Sequence, residues 1–132
     1  PMPLFHNEHC LFAALLSAGK DHRTCGRPCD HHTLALTDRA GMEHPVAADV
    51  GCRNTVFHGK SQSAAPLAAK LLARGVTRFR IELVREDAAQ VKQLLASYTR
   101  LLNGEADATT VLRELRTEGG YGVVRGSLRV LR

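Results

Sequence analysis

Four cysteines, Cys10, Cys25, Cys29 and Cys52, and seven histidines, His6, His9, His22, His31, His32, His44 and His58, all fall before residue 59 of this 132-residue chain. Thiolates and imidazoles are the soft and borderline metal ligands among side chains, so the crowding points to a metal or redox centre within residues 8–54. Fourteen, three and twenty-two residues separate successive thiols. Compact zinc knuckles use two close cysteine pairs. Here only Cys25 and Cys29 are close, which leaves the zinc pattern half present. A [4Fe-4S] cluster needs four converging thiolates and accepts them from separate loops. Spacing leaves cluster and zinc open, together with the plainer reading of cysteines as small buried apolar residues.

The loop Cys25-Gly26-Arg27-Pro28-Cys29 has further content. Gly26 allows close backbone approach, its amides suit hydrogen bonds to sulfur, and Pro28 stiffens the turn. Arg27, Arg53 and Asn54 adjoin ligand candidates, where positive charge would stabilise thiolates and hold an anionic substrate; ordinary exposed arginines are the competing reading. Among hydrolase patterns, His6-Asn7-Glu8-His9 is not the His-Glu-x-x-His of helical zinc proteases, and no Gly-x-Ser-x-Gly elbow, Walker or dinucleotide glycine pattern occurs. A Cys–His nucleophilic pair has no specific motif behind it.

The bulk of the chain reads as scaffold. Hydrophobic residues at 44% and charged residues at 23% describe one ordinary globular domain. A net charge of +5 permits an anionic partner, RNA or a phosphate or carboxylate substrate, yet the arginines are scattered. Aromatics at 5%, with no tryptophan, give no base-stacking platform. The longest apolar run, residues 11–16, is too short for a membrane span, and no secretion signal opens the chain. The expectation is a cytoplasmic protein whose cysteines are ligands rather than disulfides.

The elements that must position the thiols follow from periodicity. Residues 1–5 read as a strand end, residues 11–18 as a buried helix with Gly19 as its left-handed stop, and residues 20–32 as a loop. Residues 32–37 and 45–50 form a hairpin that delivers Gly51-Cys52-Arg53-Asn54 to a loop. A helix capped by Ser61 or Ser63 carries Pro66 in its first turn and ends at Gly75. Residues 76–83 alternate, with Phe79, Ile81 and Leu83 on one side and Arg78, Arg80 and Glu82 on the other, and read as a strand. Asp87-Ala88-Ala89-Gln90 has capping-box spacing and opens a helix to Leu102, ended by Asn103-Gly104. A shorter helix near residues 110–116 precedes a β-like tail at residues 123–131.

Strand, helix, strand, helix from residue 45 to 102 is the order of a parallel sheet. In a (β/α) barrel Arg80 and Glu82 would point inward near the carboxyl end of their strand, where barrel active sites lie, making them the catalytic candidates. A closed barrel needs roughly 250 residues, so the chain reads as the C-terminal portion of a TIM-like barrel with an inserted β-hairpin, incomplete without an N-terminal half or a partner chain. Residues 1–104 would be the partial barrel with the Cys-rich loops, and residues 105–132 a C-terminal helix and tail.

At this point several motifs in order carry a resemblance: Glu8-His9-Cys10, Cys25-Gly26-Arg27-Pro28-Cys29, Asp38-Arg39-Ala40-Gly41-Met42-Glu43-His44-Pro45, Asp49-Val50-Gly51-Cys52-Arg53-Asn54-Thr55-Val56-Phe57 and Arg80-Ile81-Glu82. Together they resemble the C-terminal portion of the U-thirty-two family of collagenase-like peptidases, over nearly the whole chain. The resemblance implies a (β/α) barrel and an oxygen-sensitive [4Fe-4S] cluster on Cys10, Cys25, Cys29 and Cys52. It also implies either proteolysis, as the family is named, or oxygen-independent hydroxylation of ribosomal RNA, transfer RNA or a quinone ring, in some cases with prephenate as oxygen donor. With no protease machinery in these residues, the hydroxylase class is preferred. A collagenase-like peptidase and a zinc-stabilised basic RNA-binding module are the alternatives.

Overall fold

Antiparallel ladders organise the first half of the chain. The computed structural model describes residues 2–19, 21–117 and 123–124, and it divides into two compact units, Met2–Gly59 and the chain from Lys60 onward. In the first unit β1 (Pro3–Asn7) leads to a short helix α1 (Leu11–Leu16), a single 3-10 turn at Pro28–Asp30, then β2 (Leu34–Thr37), β3 (Glu43–Ala48) and β4 (Asn54–Phe57). The four strands form one antiparallel sheet in the order β1-β4-β3-β2.

The β2–β3 hairpin is the one the alternation of residues 32–37 predicts. Its turn is built by Asp38, whose Oδ1 accepts the amides of Ala40 and Met42 at 2.8 and 2.9 Å, an Asx-type turn. β4 goes beyond the expectation, which left Asn54 in a loop; Thr55, Val56 and Phe57 are strong strand formers and extend the sheet. Phe12, Val46 and Val56 make the buried core of this unit, and Cys10, Leu11, Cys29, Leu34 and Leu36 pack against it.

The helix after Cys10 forms, but it stops at Ser17 in extended conformation rather than at a left-handed Gly19. Gly19 is instead required by proximity: a Cβ there would stand 2.0 Å from the Thr24 carbonyl oxygen.

The second unit is mainly helical. A 3-10 turn at Ala65–Leu67, with Ser63 Oγ accepting the Ala65 amide at 3.1 Å, runs into α2 (Ala68–Ala73). Helix α3 (Ala88–Leu102) opens on the expected capping box: the Asp87 side chain accepts the Gln90 amide and Gln90 Oε1 accepts the Asp87 amide, both at 2.9 Å. Helix α4 (Ala108–Thr117) is tied to α3 through Glu114, which accepts from Ser97 Oγ at 2.7 Å and Arg100 Nη1 at 3.1 Å. Val111 is fully buried, and Tyr98 Oη lies 2.6 Å from Ser63 Oγ. A two-residue parallel pairing joins β5 (Ser61–Gln62) to β6 (Val123–Val124), the described part of the β-like tail; residues 118–122 and 125–132 lie outside the described residues.

One expectation fails here. Residues 76–83 alternate as a strand should, yet they take no strand conformation, and Phe79 and Leu83 stay exposed. Alternation decides which face each side chain takes, but a strand also needs a neighbouring edge to complete its ladder, and among the described residues none lies alongside. The parallel strand–helix–strand order therefore does not form. The chain is mixed α/β with a four-stranded antiparallel sheet and helices, and no succession of barrel strands occurs among the described residues.

Candidate metal centre

Register brings the segments that carry the cysteines to one end of the sheet. Asn7 pairs with Asn54, Ala48 with Asn54, and Leu34 with Val46, so the end of β1, the start of β2, the end of β3 and the start of β4 share one end of the sheet. Cys10 follows β1, Cys25 and Cys29 sit in the segment leading into β2, and Cys52 lies in the turn between β3 and β4. All four thiols thus issue from the same end.

Two of the four are held by backbone amides. Cys10 is the N-cap of α1, its Sγ accepting the Ala13 amide at 3.5 Å. Cys25 Sγ accepts the Arg27 amide at 3.4 Å. Burial pushes the Cys29 thiol up from its ordinary value, the Asp30 carboxylate adds to the rise, and the Cys10 and Cys25 sulfurs contribute in the same sense. All four are free thiols, Cys52 exposed and the others half-buried.

The turns are strained where the thiols are. Among the described residues only two non-glycine residues have left-handed backbone, Arg27 (φ 53°) and Cys52 (φ 63°), each directly after a left-handed glycine, Gly26 and Gly51. Such conformations cost of order 1–3 kcal/mol for residues with a Cβ and persist where surrounding structure or function demands them. Consecutive left-handed residues also turn successive amides toward one side.

Asn54 is fully buried at this end of the sheet. Its Oδ1 accepts the Leu11 amide and its Nδ2 donates to the Arg53 carbonyl at 2.8 Å. The side chain expected to touch substrate is thus a clamp between the start of α1 and the Cys52 turn. Arg27 is exposed and pairs with Asp30 at 2.9 Å, while Arg53 is exposed beside Cys52. Arg80 and Glu82 lie in the other unit, exposed and paired with each other. Among the described residues, no three His, Cys, Asp or Glu side chains are gathered about an ion-sized position. Among the described residues no helix is long and apolar enough to cross a membrane. No family model, curated protein or solved structure matches the chain.

The donor chemistry suits a thiolate-bound group. Four thiols issue from one end of the sheet, two already receive amide hydrogen bonds, and the face around Cys10 and Cys29 is partly apolar. Amide bonds to sulfur and a half-buried setting are the two levers by which proteins tune cluster potentials.

Proposed function

We propose that the chain carries the thiolate face of an iron–sulfur enzyme, with Cys10, Cys25, Cys29 and Cys52 as ligands of a [4Fe-4S] cluster. The observation that supports this is the issue of all four cysteines from one end of one sheet, on separate loops. That arrangement differs from a zinc knuckle, where paired cysteines on tight turns build the site locally. When bound, the cluster would supply one-electron chemistry. The chain's own groups prepare the place: Ala13 and Arg27 amides bond to sulfur, Asn54 fixes Cys10 against the Cys52 turn, and Phe12 with Leu34 limits water beside Cys29. Arg53 is the cation best placed to receive an anionic substrate such as RNA, since Arg27 is engaged by Asp30.

The motif resemblance extends this to an oxygen-independent hydroxylase of the U-thirty-two family acting on RNA or a quinone precursor. Arg80 and Glu82 neutralise each other on an exposed segment, and the proposal gives them no step. Anaerobic purification followed by iron and sulfide analysis and a visible spectrum tests the reading. About four irons and four sulfides, lost in Cys10→Ser, are expected for one such cluster. A colourless protein with stoichiometric zinc would sink it in favour of the metal-stabilised module.

A further inference from the structure

A polar chain on the other face of the same sheet is independent of the thiols. His6 of β1 stands opposite Thr55 of β4, with Nδ1 2.9 Å from Thr55 Oγ1. Thr55 Oγ1 in turn donates to Asp49 Oδ2 at 2.6 Å. A hydroxyl owns one proton and a carboxylate only accepts, so the Thr55 proton is committed to Asp49. Thr55 can offer His6 only a lone pair, and the hydrogen must therefore sit on Nδ1. Thr55 is 4% exposed, which keeps water from competing for either bond. The neutral imidazole of His6 is locked as one tautomer, its Nε2 lone pair uncommitted by this chain of bonds, on an exposed residue.

Strand alternation puts His6 and Thr55 on the face opposite Val56 and Asn54, hence opposite α1 and Cys10. His44 offers a contrast within the same unit. Its Nδ1 accepts the Gly59 amide at 3.2 Å and its Nε2 faces Asp38 Oδ2 at 3.2 Å, so both nitrogens are engaged within the unit. In His6 one nitrogen is anchored to a carboxylate through a hydroxyl and the other is presented outward. That is the construction of a working base, in which the anchored side orients the ring and stabilises the cation that forms.

We propose that His6 is the general base of a second site on this face, taking a proton through Nε2 from the O–H or N–H of a bound polar ligand. The ligand keeps the electron pair of the broken bond, and the imidazolium holds both protons while Nδ1–H still points at Thr55 and, through it, at the Asp49 charge. No redox partner is needed.

Long-range proton–nitrogen correlation on the full chain labelled at histidine reads the tautomer directly: Nδ1 pyrrole-like and Nε2 pyridine-like at His6. Diethyl pyrocarbonate, followed site by site with mass spectrometry, reads the reactivity of Nε2, which attacks the reagent's carbonyl and releases ethanol and carbon dioxide. Thr55→Val should slow modification of His6 roughly three- to tenfold, the worth of one net hydrogen bond, and leave exposed His22 and His31 unchanged. A pyridine-like Nδ1 in the wild type, or an unaltered His6 rate in Thr55→Val, overturns the proposal. If Thr55→Val loses its sheet by circular dichroism, the wild-type tautomer and the His6 rate in Asp49→Asn decide, with slowing expected there too.

Discussion

In Met2–Gly59 the buried apolar core is Phe12, Val46 and Val56, with two cysteines packed against it; in the second unit Ala65, Ala68 and Val111 are buried, and helices are fixed by caps and by the Ser97–Glu114–Arg100 bonds. Each core is small, but what supplements it differs. The first unit relies on cross-strand register and on turns that also carry its cysteines. The second relies on local helix termini that have no chemistry to perform. Were the proposed cluster bound, its thiolates and the polar supports of the unit would be the same loops, and ligand binding would be coupled to folding, because anything that joins the thiols also tightens the turns.

The sharpest break of that comparison is Phe12→Ala. It should cost about 3–5 kcal/mol, as a buried aromatic truncated in a core does. Hydrogen exchange should show amides of β3 and β4 losing protection while those of α3 keep theirs; equal loss in α3 would mean the units are not separately organised. Asn54→Ala should cost about 2 kcal/mol, since the Leu11 amide loses its acceptor at a fully buried site. Alkylation of Cys10 should accelerate in that variant, and an unchanged rate would remove Asn54 from its clamping role. On the other side, Asp87→Ala should cost about 1 kcal/mol and loosen only the first turn of α3.

The smallest effect is acid sensitivity. The Met42 amide, then the His44 ring, hold the Asp38 carboxyl below the usual range. A folded-state value below the unfolded one stabilises above the unfolded value, near 3.9, and that contribution vanishes as pH falls through the folded value. The β2–β3 turn should therefore weaken below about pH 4, followed by the Met42 amide shift, and Asp38→Asn should abolish that pH dependence.

Local signals survived from sequence to structure where the chain itself supplies all the partners. The Asp87–Gln90 box, the Asp38 turn and the β2–β3 hairpin are of this kind. What failed needed a partner that periodicity does not name: residues 76–83 have the alternation of a strand without a neighbouring edge, and the same blindness hid β4. The cysteines were conspicuous by type, but their shared end of the sheet follows from pairings such as Asn7 with Asn54. Nothing in the spacing of His6, Thr55 and Asp49 says that a strand pairing will place them in line. Asn54, expected beside Arg53 as a group that touches an anionic substrate, is fully buried at the thiol end of the unit.

The contact of Gly19 with the Thr24 carbonyl works as a ruler. Asp21 ties the turn internally, its Oδ1 accepting the amides of Arg23 and Thr24 and its carbonyl accepting the Cys25 amide at 2.9 Å. This rigid turn rests on Gly19, just past the end of the helix that Cys10 caps. The span between the Cys10 and Cys25 thiols is thus gauged by a backbone-on-backbone contact that contains no ligand. Gly19→Ala would drive its Cβ into the Thr24 carbonyl and push the Cys25 turn away from the helix that Cys10 caps, so that retention of the proposed cluster would depend on a residue that could never ligate it.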